Sequence, residues 1–234
     1  MPKAMQINSE LVARFFNGTG KSYDQVVHLG TLGLDIYWKK KIYSKITNQP
    51  AAILDLACGT GIVTFGLHRR FPKARIVGVD VTADYLEIAR QRAKDQGLTN
   101  VEFILSDAET IKLSESFDCI TSSYIPKYVN AERLLENLSP HLRSGGLFVM
   151  HDFAYPRNRI ARGIWDGYNV ILNFVGRRLY PEWKTVFDYE LTNLIRTSKW
   201  IDEFSKALEK HNYEKIDVEY LSFGSAAVLT ARKV

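Results

Sequence analysis

Apolar and polar positions along the chain follow two different periods, and each change of period marks a new element. Consecutive apolar residues predict buried strands, whereas apolar residues that recur every three or four positions predict helices. The pattern predicts helices near residues 8–17, 33–47, 62–70, 82–97, 131–142, 160–178 and 198–211. It predicts strands near residues 51–56, 75–79, 101–105, 117–122, 145–153, 214–222 and 226–233.

Strands that alternate with helices indicate a mostly parallel sheet covered by helices on both faces. The last two strands differ, because only Ser222-Phe223-Gly224-Ser225 separates them, which is the spacing of a hairpin. We therefore expect an α/β fold with a Rossmann-like, doubly wound, seven-stranded sheet that ends in an antiparallel C-terminal hairpin.

A turn rich in glycine follows the first predicted strand, in the sequence Asp55-Leu56-Ala57-Cys58-Gly59-Thr60-Gly61. Glycines at such a turn allow a ligand to lie against bare main chain. A dinucleotide fingerprint needs a third glycine, and Thr64 occupies that position. An aspartate at the turn would also repel a pyrophosphate, whereas it would attract a positively charged ligand. A purely structural strand–turn–helix is the alternative.

Two further acidic residues end the next two predicted strands. Asp80 follows Val79, and Asp107 follows Ser106. In a doubly wound fold, an acid at the end of the second strand accepts hydrogen bonds from ribose hydroxyls. Three strand-end acids in register are hard to reconcile with chance and point to one cofactor.

The glycine turn and its flanking residues resemble motif I of the class I S-adenosylmethionine-dependent methyltransferases. The resemblance implies the seven-stranded class I fold, S-adenosyl-L-methionine as cofactor and S-adenosyl-L-homocysteine as product. It assigns the methionine end of the cofactor to the glycine turn, the ribose to the second strand end, the adenine to the third, and the sulfonium to the fourth. The corresponding residues are Asp55, Ala57, Gly59, Thr60, Gly61, Asp80, Val81, Asp107, Ala108 and Ser123, with Tyr23 from the N-terminal segment.

The chain is also similar, over nearly its whole length, to the ubiquinone/menaquinone biosynthesis C-methyltransferases. The similarity is carried by five segments: residues 16–24, Gly33 with Trp38-Lys39, residues 117–124, residues 142–149, and Asp152-Phe153 with Pro156. It implies C-methylation of a prenylated quinol ring of the demethylmenaquinol or ubiquinol type. Substrate-side positions depart from the family, since Pro126-Lys127-Tyr128-Val129 replaces its Leu-Arg-Asn-Val and Val27-His28 replaces its Asn-Asp. N-methylation of a lipid headgroup or a small amine is therefore the alternative.

On this interpretation the chain is a single domain, 1–234. Its parts are an N-terminal helical cap (1–48), a cofactor-binding core (49–153), a substrate lid insertion (154–197), and the last helix with the hairpin (198–234).

Methylation of an aromatic carbon needs a base that removes the proton of the neighbouring phenol. The candidates at loop ends are His28, Tyr124 and Asp152, together with His151, and Lys127 is a candidate to stabilise the phenolate. Each has a simpler explanation. His151 could satisfy a hydrogen bond in the core, His28 could be solvated, and Lys127 could lie on the surface.

The predicted lid helix carries an apolar face formed by Ile164, Tyr168, Ile171, Leu172 and Val175. Packing of this face onto the core is the first expectation. The alternatives are a wall for a prenyl tail or a patch that rests on a membrane.

Composition adds few limits. The 234 residues contain no apolar run long enough for a transmembrane helix and no signal-peptide core. The 2 cysteines lack metal-ligand spacing, so we expect no metal, no disulfide and a cytoplasmic location. The net charge of +5 forms no dense basic stripe, and no Asn/Asp-Pro-Pro-aromatic motif follows the fourth strand, so nucleic acid is not an expected partner. We expect a small-molecule acceptor, and leave open a peripheral membrane contact and a homodimer.

Overall fold

The structure, a computed structural model, describes residues 9–234, without the side chains of residues 9, 10, 13, 14 and 189. Three helices open the described chain: α1 (Ser9–Phe16), α2 (Tyr23–Gly30) and α3 (Leu34–Lys45). The alternating core follows with β1 (Ala52–Leu56), α4 (Ile62–Arg70), β2 (Arg75–Asp80), α5 (Ala83–Asp95), β3 (Val101–Leu105), β4 (Phe117–Ser123), α6 (Ala131–Leu138) and β5 (Leu142–Phe153). The chain then forms α7 (Arg159–Leu179), a π-helical segment (Val186–Glu190), α8 (Leu191–Thr197), α9 (Trp200–Lys210), β6 (Tyr213–Leu221) and β7 (Ala226–Lys233).

The seven strands form one sheet in the order β3-β2-β1-β4-β5-β7-β6. The pairs among β1 to β5 are parallel, whereas β7 is antiparallel to both β5 and β6. The carboxyl ends of β1, β2 and β4 therefore meet at one edge, where the strand order reverses between β1 and β4. Open α/β sheets bind their ligands at such a switch point. The predicted fold class is confirmed.

The sheet is buried on both faces because its central strands are apolar throughout. All five residues of β1 are buried. On one face, Leu134 and Leu138 of α6 and Phe204 and Leu208 of α9 join the main core cluster. On the other face, Trp38 and Ile42 of α3 pack with residues of α4. These two layers fix the strand ends that carry the predicted site.

Several predicted boundaries differ from the structure. The start of the predicted helix 8–17 lies outside the described residues. Helix α2 was not predicted, because only Val26 among its residues is buried and the apolar pattern is correspondingly weak. Helix α6 ends at Leu138 instead of residue 142, since Pro140 lies in a separate 3₁₀ turn (Ser139–His141). The π-helical segment and α8 were also missed.

The orientation of α7 contradicts the first expectation for the lid. Its buried residues are Asn169, Asn173 and Gly176. Three of the five predicted core-facing residues point outward instead, since Ile164 is 70% exposed, Ile171 64% and Val175 42%, whereas Tyr168 and Leu172 are partly buried. Periodicity identifies which residues share a face, but it does not say which face is turned inward.

Candidate cofactor cleft and acceptor cavity

The glycine turn bends the chain from β1 into α4. Gly61 precedes α4 with φ of 88°, in the left-handed region that favours glycine. A Cβ on Gly59 would lie 3.6 Å from the ring of Tyr85 and 3.9 Å from that of Tyr23. The bare main chain of the turn thus faces aromatic side chains across a cleft.

Asp55 lies behind this turn and is not among the described residues that line the cleft. Its carboxylate accepts hydrogen bonds from the hydroxyls of Thr64 at 2.6 Å and Thr121 at 3.1 Å, and its side chain is buried. Burial raises the pKa of Asp55 to about 7, against the effect of these two hydroxyl donors. Asp55 therefore holds α4 and β4 against the turn.

Asp80, at the end of β2, lines the cleft. One carboxylate oxygen accepts from the backbone N–H of Gly59 at 2.8 Å, and the other accepts from that of Thr82 at 2.8 Å. Burial raises the pKa of this carboxyl, and the two backbone donors oppose that shift. Each oxygen keeps a second lone pair for a ligand hydroxyl.

The remaining predicted cofactor residues divide into two groups. Seven of them line the same cleft: Tyr23, Ala57, Gly59, Val81, Asp107, Ala108 and Ser123. Thr60 and Gly61 are not among the lining residues. Thr60 instead donates its hydroxyl to Asp24 at 2.6 Å and is buried. Asp24 also forms an ion pair with Arg92 at 2.8 Å, so this network joins α2 to the glycine turn.

Aromatic side chains from the N-terminal cap cover the cleft. Tyr23 lies 4.9 Å from Tyr85 between ring centroids and stacks on Trp183 at 6.0 Å. Phe16 and Tyr128 complete the cover, with their centroids 6.0 Å apart. Tyr85 and Tyr128 were missed from the sequence, where isolated tyrosines carry no spacing signal. Carboxylates beneath aromatic rings fit a cationic nucleoside cofactor.

Three buried polar groups at the cleft have no hydrogen-bond partner within the described part of the chain. They are the hydroxyls of Tyr124 and Tyr128, whose residues line the cleft, and Nε2 of His151. Nδ1 of His151 lies 3.0 Å from the hydroxyl of Ser123, which lines the cleft. Burial lowers the pKa of His151 to about 3, so the imidazole is neutral at physiological pH.

The other predicted catalytic residues occupy different settings. Lys127 and Asp152 are buried and form an ion pair with each other at 2.7 Å. The Lys127 ammonium also donates to the carbonyl of Tyr124 at 2.8 Å, which holds the chain at the end of β4. His28 contacts Asp35 at 3.1 Å with half of its side chain exposed. Among the residues described, His28 does not join those that line the cleft.

A second and larger cavity, of about 650 Å³, lies between α7, α8 and the β6–β7 turn. Its lining is mainly apolar and aromatic, including Trp38, Phe153, Trp165, Leu172, Phe187 and Leu191. Asn169, Asn173 and Thr192 interrupt this lining and bond to one another at 3.1 to 3.3 Å. Such a composition is typical of a site for an apolar molecule with a few polar groups.

One stacked pair of rings separates the two spaces. Tyr124 lines the cofactor cleft, Phe153 lines the apolar cavity, and their centroids lie 4.9 Å apart at an interplanar angle of 19°. The cleft and the cavity therefore adjoin at these two rings.

Potential metal ligands lie elsewhere. Within residues 9–234, the one cluster of such side chains contains Glu132, Glu136 and His211, whose ligand atoms lie within 4.8 Å of one another. Lys210 already contacts Glu132 at 2.9 Å. These residues lie on α6 and directly after α9, and none of them lines the cleft. Over the same residues, no helix is both long and apolar enough to cross a bilayer.

Among the curated relatives that this chain resembles, some are matched over two thirds or less of their own length and others over nearly all of it. A ubiquinone/menaquinone biosynthesis C-methyltransferase of Hahella chejuensis is 29% identical over 68% of this chain and 66% of its own length. A malonyl-[acyl-carrier protein] O-methyltransferase of Bacillus cereus is 34% identical over 64% of this chain and 55% of its own length. A demethylmenaquinone methyltransferase of Bacteroides fragilis is 23% identical over 96% of this chain and 93% of its own length.

A solved structure has a similar fold, and a sequence model of one family matches the chain. A geranyl diphosphate C-methyltransferase from Streptomyces coelicolor, solved with Mg²⁺, geranyl diphosphate and S-adenosyl-L-homocysteine, has a TM-score of 0.61 at 15% identity and covers 86% of this chain and 80% of its own. The sequence model of the ubiE/COQ5 methyltransferase family matches residues 4–233 of this chain. With this match over nearly the whole chain and with the class I fold, the chain belongs to the ubiE/COQ5 methyltransferase family and is an S-adenosylmethionine-dependent methyltransferase.

Proposed function

We propose that this enzyme transfers a methyl group to a ring carbon of a prenylated hydroquinone of the demethylmenaquinol or ubiquinol type. The observation that carries the proposal is the 650 Å³ apolar cavity, which adjoins the cofactor cleft at the stacked rings of Tyr124 and Phe153. A prenyl tail is an apolar chain that gains free energy when its surface leaves water. The names of the relatives from Hahella chejuensis and Bacteroides fragilis support the same acceptor class.

The residues that line the cleft fit S-adenosylmethionine. Asp80 has lone pairs for the ribose hydroxyls, and we assign the adenine to Asp107 and Ala108. Tyr23, Tyr85 and Phe16 would exclude water from the sulfonium. When bound, the cofactor supplies a methyl group that is already activated, so the protein mainly positions the two reactants.

In the reaction, the hydroquinone hydroxyl would release a proton to water, which raises the electron density of the ring. The ring carbon would then bond to the methyl carbon as the bond from that methyl to sulfur breaks and leaves its electron pair on sulfur. The ring carbon would finally release its hydrogen to water as a proton, which restores the aromatic ring. Because the ring carbon must touch the methyl group, the side chains of Tyr124 and Phe153 would move apart when the acceptor binds.

We propose that the hydroxyl of Tyr124 binds the hydroquinone oxygen, because it is buried without a partner among the described groups and its ring stacks on Phe153 of the apolar cavity. Burial raises the pKa of Tyr124, so it stays protonated and donates a hydrogen bond to the developing phenolate.

We propose positioning roles for the remaining polar residues. His151 orients the Ser123 hydroxyl at the cleft, and the pair of Lys127 and Asp152 holds the chain that carries Tyr124. In this proposal His28 has no contact with the reacting groups.

Transfer of a labelled methyl group tests the proposal. The protein is incubated with methyl-labelled cofactor and, separately, a reduced prenylated demethylquinol, an acyl thioester with a free carboxylate, and a phosphatidylethanolamine. The proposal predicts labelled product with the quinol, with the label on a ring carbon by NMR. Label on an ester oxygen or on nitrogen, with none on the quinol, would refute it in favour of O- or N-methylation.

A further inference from the structure

The lid helix α7 is amphipathic in the opposite sense from a helix that packs on a core. Its buried positions are polar or small, with Asn169 and Asn173 turned inward. Its outward positions are large and apolar: Ile160, Ile164, Val170, Ile171, Phe174, Val175 and Leu179 are 42% to 75% exposed. Exposed apolar side chains that share one helix face mark a surface that something else covers.

Neighbouring loops extend this apolar surface. Leu29 and Leu32, next to the turn between α2 and α3, are 55% and 74% exposed. Phe223, in the turn between β6 and β7, is 94% exposed. We call these three residues and the outward residues of α7 the outer face.

The outer face surrounds the opening of the apolar cavity. Leu32, Ile160, Ile164 and Phe223 are exposed to solvent and also line that cavity. An apolar molecule that entered between them would pass directly from the surface into the cavity. The surface and the cavity are therefore continuous.

The charges near the outer face are mainly positive. Helix α7 carries Arg159, Arg162, Arg177 and Arg178 and a single acid, Asp166. Asp166 already pairs with Arg196 at 2.8 Å and accepts from the Tyr155 hydroxyl, and Arg177 pairs with Asp188 at 3.4 Å. The guanidinium of Arg178 lies 3.8 Å from the ring centroid of Phe174, so a cation accompanies the apolar face directly.

We propose that the outer face docks onto a bilayer that contains anionic lipids and that the cavity receives the prenylated acceptor from that bilayer. An interfacial helix with apolar residues on one face and arginines at its ends binds in this way. A second copy of the chain is disfavoured as the occupant, because a two-fold contact would bring the arginines of two α7 helices together. This inference rests on the proposed prenylated acceptor.

Sedimentation with vesicles tests the docking. Wild-type protein should sediment with vesicles of phosphatidylcholine and phosphatidylglycerol more than with phosphatidylcholine alone, and less at high salt. The double variant Ile171→Glu/Phe174→Glu should lower the partition coefficient by at least about tenfold, since each change removes apolar burial. Both positions lie outside the cavity lining.

A matched apolar control is Val234→Glu, which is 69% exposed before the change. It lies at the opposite edge of the sheet, because β7 runs from Ala226 beside Phe153 to Arg232 beside Leu147. A second pair of variants tests the role of charge. The double variant Arg159→Gln/Arg178→Gln should lose the preference for vesicles with phosphatidylglycerol, whereas the control Lys73→Gln, outside the outer face, should keep it. Unchanged calorimetric binding of S-adenosylhomocysteine checks that each variant is folded.

Three results would overturn the docking proposal. They are no sedimentation of the wild type with either vesicle, equal binding by the Ile171→Glu/Phe174→Glu variant, and a wild-type dimer in solution that this variant converts to monomer. Turnover separates the docking from the proposed function. With a short-chain quinol in solution, the double variant should match the wild type, and with the quinol in vesicles it should be slower. Vesicle binding without turnover of any quinol would contradict the proposed function alone.

Discussion

The ammonium of Lys127 lies 2.7 Å from the carboxylate of Asp152, and both side chains are buried at the end of the β4 and β5 strands. A second oxygen of Asp152 accepts from the backbone N–H of Lys127 at 3.0 Å. Burial lowers the pKa of Lys127 and raises that of Asp152, whereas the attraction between them opposes both shifts. The pair therefore joins two strand ends beneath Tyr124.

Removal of one partner should be strongly destabilising. Lys127→Met leaves the Asp152 carboxylate buried without its cation, which costs about 3–5 kcal/mol. Urea unfolding measures this loss. The double variant Lys127→Met/Asp152→Asn should recover part of it, because no unpaired charge remains. Equal losses in the single and the double variant would show that the ion pair is not the source of the effect.

Asp80 should contribute to cofactor affinity through its lone pairs. Asp80→Asn replaces a charged acceptor by an amide, and each charge-assisted hydrogen bond contributes about 1.5–3 kcal/mol. We expect the dissociation constant for S-adenosylhomocysteine to rise at least about tenfold in calorimetry. Asp95→Asn, on the exposed side of α5, is the matched control and should bind as the wild type does. If Asp80→Asn binds S-adenosylhomocysteine as tightly as the wild type, the assignment of the ribose to Asp80 is wrong.

The wall between the two spaces should affect the acceptor more than the cofactor. Phe153→Leu keeps an apolar side chain but removes the stack on Tyr124. We expect the KM for a prenylated quinol to rise several-fold, with affinity for S-adenosylhomocysteine unchanged. Steady-state kinetics and calorimetry measure the two quantities. A change in cofactor affinity with an unchanged KM would contradict the division into cleft and cavity.

Asp55 should give the protein a characteristic dependence of stability on pH. Its pKa rises from 3.8 to about 7 on burial, so between these values the folded state holds a proton that the unfolded state has lost. The contribution of Asp55 is fully present below pH 3.8 and is lost as the pH rises towards about 7. The free energy of unfolding of the wild type minus that of Asp55→Asn should therefore fall across this range. A difference that is constant with pH would contradict the shift.

The sequence predicted the central strands well because β1 and β2 are short apolar runs, and the strand-end acids mark the edge where these two strands stop. It could not tell that Asp55 points behind the glycine turn, since the threonines that bind it lie on α4 and β4. The sequence could not predict the cofactor cleft and the apolar cavity as two adjoining spaces either. The contact of Tyr124 with Phe153 depends on the pairing of β4 with β5, which periodicity does not encode.

The N-terminal cap was predicted only in outline. Its opening motif marked Tyr23 and Asp24, but helix α2 itself was missed. The contacts of Tyr23 with Tyr85 and Trp183 join residues far apart in the chain, so no local pattern could indicate them. The lid helix was located correctly, but of its predicted apolar face only Tyr168 and Leu172 turn inward, and Ile164, Ile171 and Val175 are exposed.

A crystal structure of the protein with S-adenosylhomocysteine and a prenylated demethylquinol would test the account most directly. We predict that the nucleoside lies between the glycine turn, Asp80 and Asp107, with its sulfur facing Tyr124. The quinol ring should lie against that sulfur, between the displaced side chains of Tyr124 and Phe153, and its tail should fill the space between α7 and α8. A tail that lies outside this cavity, or a nucleoside away from the ends of β1 and β2, would contradict the account.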